Sequence, residues 1–226
     1  NMGSPAMSRS QYQSDGPPSE LNVSSYSRMK DPAVWKTLCD GPVWDGFIRD
    51  NPVLASIAHD APACIVLSGD ITDPPTLNYL RDSIGFLQFL LDHGGECIYD
   101  PQMFRWWTPQ DWRTDIVAPT EPALQRQVVI LTSEEPDSPE STLWYHTRGM
   151  RKFGRPDLSM PGVRPEVVEA VIEMMNRFIS MQALGAVIPE GESIRMKGLP
   201  EDLRCRHRGA LDDPDSNNVH VEITAE

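Results

Sequence analysis

The 226-residue chain is poor in cysteine, with four, none of them in a C-x-x-C pair. That excludes a disulfide scaffold and a zinc ribbon. No apolar run approaches the roughly 20 residues a membrane-spanning helix needs, so no membrane segment is expected. G-x-G-x-x-G and the P-loop are missing, and with them any recognisable nucleotide-phosphate cradle. H-E-x-x-H and G-x-S-x-G are missing as well, and no metal or cofactor is expected. Positive charge is also scarce. Twenty Lys+Arg against 33 Asp+Glu give a net charge of −13, which argues against general nucleic-acid binding. What is present is the composition of a soluble, acidic, cytoplasmic domain, long enough to bury roughly 70% of its unfolded surface.

Residues 1–7 read as an expression scar before a native start at Met7, and the Ser-, Gln- and Pro-rich stretch to Met29 as a mobile arm. A single α+β domain is expected over 30–226. Asp31-Pro32 opens a short helix, and a second covers Val53 to Ala58. The continuous apolar run Ala63-Cys64-Ile65-Val66-Leu67 reads as a central strand. Asp73-Pro74-Pro75 caps a long helix with Leu77, Leu80, Ile84, Leu87 and Leu91 at helical spacing, and Gly94-Gly95 ends it. A short strand at Glu96–Tyr99 completes a β-α-β unit. Gln127–Thr132 and Leu143–Thr147 form a hairpin around an acidic turn. Pro165 begins the best amphipathic helix, and strands at 193–197, 203–207 and 219–223 follow. The fold class is α+β, with one mainly antiparallel sheet and two long helices packed on one face. The element order suggests a duplicated β-α-β design, although the residues themselves do not repeat.

The scarce positive charge is concentrated. Residues 144–155 are net +4, residues 195–208 are net +3, and the remainder is −20. Arg148, Arg151, Arg155 and Arg206 are candidates for an anion site, because guanidinium forks suit carboxylate and phosphate. The structural alternative is that they neutralise the chain's own acids. His146 is the catalytic candidate, as acid, base or oxyanion donor, with Asp70, Asp100 or Asp157 as orienting carboxylates. A histidine hydrogen-bonded at a strand end is the plainer reading. Cys205-x-His207 offers two metal ligands without an evident third. Trp106, Trp107 and Trp112 are either a core plug or, with Glu134 and Glu135, anchors of a protein interface.

Three segments carry a resemblance. They are Ile98-Tyr99-Asp100-Pro101-Gln102 with Trp107-Thr108-Pro109-Gln110-Asp111-Trp112; His146-Thr147-Arg148-Gly149-Met150-Arg151-Lys152-Phe153-Gly154-Arg155-Pro156-Asp157-Leu158; and the glycine turn Gly185-Ala186-Val187-Ile188-Pro189-Glu190-Gly191-Glu192-Ser193-Ile194. Over residues 60–200 the chain resembles DUF4261, a family of bacterial domains of unknown function. The family carries no settled activity, so the resemblance transfers no catalytic residue. Gly149 and Gly154 relax the backbone on either side of a basic turn, and Asp157 is placed to accept its amides or to pair with Arg155.

The failure of every catalytic motif, the −20 remainder and the tryptophan cluster favour a non-enzymatic protein-binding domain. Its specific form is an acidic immunity-type or adaptor protein that neutralises or escorts a basic partner. The alternative is an enzyme or sensor acting on a small phosphate- or carboxylate-bearing anion held by the arginines, with His146 as acid or base. That alternative requires the two basic windows to meet.

Overall fold

A computed structural model describes residues 20–70, 76–134, 142–210 and 218–225. The chain packs as two compact units, Asn1–Pro122 and Ala123–Glu226, where the sequence suggested one domain. Among the described residues no helix is long and apolar enough to cross a membrane.

The first unit begins within the stretch expected to be an arm. Residues 20–27 form strand β1 (Glu20–Ser27), paired antiparallel over its whole length with β2 (Ala63–Asp70). Three short helices lie between them, α1 (Pro32–Leu38), α2 (Pro42–Asp50) and α3 (Pro52–Asp60), each with proline in its first turn, where the missing N–H costs nothing. Asp31 precedes α1 as expected, but its carboxylate accepts from the Ser27 N–H at 3.0 Å instead of capping the helix. The sequence reading did not separate out α2, which buries Trp44 and Phe47.

Helix α4 (Asn78–Asp92) follows β2, and the Asp73-Pro74-Pro75 cap expected for it lies outside the described residues. Its end matches expectation. Gly94 adopts a φ of +100°, and a Cβ on Gly95 would meet the Leu90 carbonyl oxygen at 2.8 Å. The β-α-β unit does not close, because β3 (Ile98–Asp100) pairs with β4 (Arg105–Trp107) in a separate two-stranded sheet. Thr108 then caps α5 (Pro109–Trp112) by accepting from the Asp111 N–H at 3.0 Å, the bond expected of a Thr-Pro-x-Asp start.

The second unit is built on six strands: β5 (Val129–Glu134), β6 (Leu143–Arg148), β7 (Asp157–Val163), β8 (Ser193–Ile194), β9 (Leu203–Arg208) and β10 (His220–Ala225). They form one mixed sheet in the order β5-β6-β7-β10-β9-β8. The β7–β10 pair is parallel and the other pairings are antiparallel. Helix α6 (Val168–Ala183) lies in the crossover between those parallel strands and packs on β7. Its buried stripe of Val171, Met174, Met175 and Ile179 follows the 3.6-residue period. Thus α+β describes the chain. The single sheet bearing both long helices is corrected: the strands fall into three sheets, and α4 and α6 belong to different units.

Candidate functional site

Strand alternation divides the six-stranded sheet into two faces. Leu203, Cys205, Val221 and Ile223 are fully buried, while their neighbours Arg204, Arg206, His220 and Glu222 are half-buried. Residues paired across a sheet share a face, so the registers define the second face strand by strand. His146 of β6 stands opposite Ser159 of β7, Ser159 opposite Glu222 of β10, and Glu222 opposite Arg206 of β9. A parallel row runs Asp157, His220, Arg208. Arg148 follows His146 by two residues and stands on the same side by alternation. Arg148 and Arg206, from basic windows separate in sequence, therefore share one face of one sheet, with two strands between them. At about 4.8 Å per strand, β6 and β9 lie roughly 14 Å apart.

Within this face the Trp144 and His146 rings stack at 4.1 Å, 26° from parallel. The Trp144 indole N–H donates to Ser159 Oγ at 2.7 Å and covers it. Arg208 pairs with Glu222 at 3.5 Å. The Arg206 guanidinium, half-buried beside them, makes no ion pair or hydrogen bond among the described residues. The expectation that the arginines neutralise the chain's own acids thus holds for Arg208 and not for Arg206.

The turn from Gly149 to Pro156 borders the face and is held by one buried carboxylate. Asp157 Oδ1 accepts from the Thr147 hydroxyl at 2.9 Å and from the Met150 N–H at 3.2 Å. Its Oδ2 accepts from the Asn218 amide at 2.8 Å. Asn218 also donates to the Arg155 carbonyl, and Thr147 Oγ1 accepts from the Leu158 N–H. Burial pushes the Asp157 carboxyl up to about 6, against the pull of its Asn218, Thr147 and Met150 bonds and the Arg148 charge. Gly149 at φ +123° and Gly154 at +65° supply backbone that other residues adopt only under strain. Arg155 donates to the Gly154 and Gly185 carbonyls at 3.3 Å, closing the turn after α6.

Of the four arginines proposed for an anion, Arg148 and Arg206 share the sheet face. Arg151 stands exposed on the 3-10 turn Met150–Phe153, and Arg155 is committed to carbonyl oxygens. His146 lies on the face, stacked and half-buried. Of its proposed carboxylate partners, Asp157 is occupied by the turn, while Asp100 binds the Gln102 N–H within the first unit. The side chain of Asp70 lies outside the described residues.

Cys205 is buried, its thiol pushed up to about 11 by desolvation and by Glu192 and Glu190. The His207 ring meets the Ile188 carbonyl at 2.8 Å. Among the described residues no group of three His, Cys, Asp or Glu is placed to hold a metal ion.

Of the three tryptophan anchors, Trp107 and Trp112 are corrected to core, and Trp106 is half-buried. Trp107 and Trp112 are 1% and 4% exposed and meet edge to face at 5.7 Å, with the Arg105 guanidinium 3.6 Å over Trp107. Trp106 stacks on Phe47 and Tyr99 and packs against the cluster of Trp44, Phe47, Ala55 and Ala58. These indoles are spent on the first unit's interior, where burying aromatic area is most favourable. Glu134 is exposed at the end of β5, and Glu135 lies outside the described residues.

Sequence reasoning did not single out Ser159 or Asn218, and it weighed His220-x-Glu222 only as the start of a zinc motif whose P-C-x-x-C partner is absent. Ser159 joins the site through a cross-strand register that no local pattern carries. Compared with known proteins, the chain matches no family model, no curated protein and no solved structure.

Proposed function

We propose that the second unit binds an extended small-molecule anion, bearing phosphate or carboxylate groups, across the β6-β7-β10-β9 face. The observation that supports this reading is Arg206. It is a half-buried guanidinium that makes no ion pair among the described residues of a chain whose net charge is −13, its cross-strand neighbour Glu222 being paired with Arg208. Such a group is stabilised by an anionic ligand, which meets its donors bidentately. The roughly 14 Å from β6 to β9 is too far for one carboxylate or orthophosphate to touch both windows. The ligand therefore carries separated anionic groups or an elongated body, with the Trp144–His146 pair at one end and Arg206 at the other. His146 is the candidate acid or base for any chemistry there. The proposed kinship to DUF4261 goes with this reading, since its most specific stretch, 146–158, includes the turn bordering the face.

Pyrophosphate is the first probe, compared with sodium chloride at matched ionic strength. A ligand at about a hundred times its Kd stabilises the folded unit by about 2.7 kcal/mol, so the melting temperature of the wild type is expected to rise. In R206Q most of that rise is expected to vanish while the melting temperature without ligand stays near wild type. A rise of equal size in R206Q would sink the proposal.

The charge distribution favours a second reading. With the basic residues gathered in two windows, the remainder is −20, which suits capture of a basic protein by an immunity-type or adaptor domain. Two of its three tryptophan anchors are buried, so it rests mainly on electrostatics. Salt-sensitive capture of one basic protein, lost in E134K/E135K and kept in R206Q, would favour it over the anion site.

A further inference from the structure

Strand β2 has the composition of a strand with neighbours on both sides, yet among the described residues it pairs with β1 alone. A two-stranded ribbon is marginal in water and calls for a third strand or a packed face. Here Val23, Ile65 and Val66 are 55%, 44% and 36% exposed. The register sets Val23 beside Leu67 and Leu21 beside Gly69, so Leu21, Val23, Ile65 and Leu67 line one face. The outer edge is unguarded as well. From Ala63 to Gly69 there is no charge and no proline, the devices that normally keep an edge strand from pairing.

The chemistry of that edge selects its occupant. Two copies carrying −13 each repel across most surfaces, but the strip from Ala63 to Gly69 is uncharged and complementary to itself. Identical strands added antiparallel about a two-fold axis keep their faces only when residues at odd positions meet odd positions. An axis through Val66 satisfies this. It sets Ile65 against the partner's Leu67 and Cys64 against the partner's Ser68, and continues the apolar face through both copies. We propose that the chain forms a two-fold dimer by antiparallel pairing of β2 with the same strand of a second copy, giving a four-stranded sheet.

The test uses the full chain in reducing buffer, by sedimentation over a wide concentration range. A reversible dimer is expected. V66K and I65K, both at exposed positions, are expected to raise its Kd about tenfold or more, since V66K places like charges directly across the pairing and I65K sets a charge against the partner's apolar Leu67. Their circular dichroism is expected to match wild type. The axis through Val66 also brings the two thiols of V66C within about 5.5 Å between Cα atoms, inside disulfide reach. Mild oxidation is expected to cross-link V66C above the wild-type background, and not I57C, whose site on α3 is equally exposed. A monomer at every concentration overturns the proposal. So does a dimer that survives V66K while V66C stays uncross-linked, because it would use another surface.

Discussion

Trp107→Ala is expected to destabilise the first unit by about 3–5 kcal/mol, the usual cost of emptying a large aromatic site in a core. The side chain is 1% exposed, meets Trp112 edge to face and carries the Arg105 guanidinium over its ring. Truncation removes the buried area, the aromatic pair and the cation–π contact together. Trp107→Phe keeps part of the volume and should cost less than half as much. Urea unfolding followed by tryptophan fluorescence measures both variants, and separate transitions for the two units would be fitted separately. A cost under about 1 kcal/mol, far below the range for a buried aromatic, would return Trp107 to the surface and restore the interface reading.

Asp157→Ala is expected to cost the second unit about 2–4 kcal/mol, because the Thr147, Met150 and Asn218 donors are then left unpaired inside the protein. Asp157→Asn separates charge from shape. It keeps an acceptor for Thr147 and Met150, loses the bond from Asn218, and no longer carries a charge into the interior. The wild-type carboxyl is pushed from an ordinary 3.8 up to about 6. The folded unit therefore holds the proton more tightly than the unfolded chain does. Its stabilising contribution is fully present below the unfolded value and is lost as pH rises through about 6. Each tenfold difference in proton affinity is worth about 1.4 kcal/mol, so the stability of wild type relative to D157N is expected to fall by about 2.4 kcal/mol between about pH 4 and pH 7. Denaturant titrations at the two pH values read that difference directly. A flat difference would mean that Asp157 ionises as it does in water, and the turn would then need another anchor.

The same residue marks how far sequence reading reaches. Asp157 is visible as a candidate acceptor for the turn, because Gly149, Gly154 and Pro156 announce a tight corner. Its true partners Thr147 and Asn218 come from β6 and from the residues before β10, and meet it only once those strands flank β7. Arg155 is readable as a cation near a carboxylate, and packing sends it to the Gly185 carbonyl. The indoles are readable as core or interface from composition alone. Burial against Phe47, Tyr99 and Trp112 decides for core.

Local chemistry, written in the sequence, set the helix starts at proline, the Thr108 cap, the glycine stops after α4 and α6, and the buried stripe of Val171, Met174, Met175 and Ile179. Each depends on neighbours within a few residues, and backbone propensity acts over that range. Tertiary structure alone decided three things. It divided the chain into two units, made Ala63–Leu67 half of a two-stranded ribbon, and brought His146, Ser159, Glu222 and Arg206 into one row. Those outcomes rest on strand order and register. A register shift of one residue would turn the arginines of β9 toward α6, and only the burial of Leu203, Cys205, Val221 and Ile223 on the opposite face prevents it.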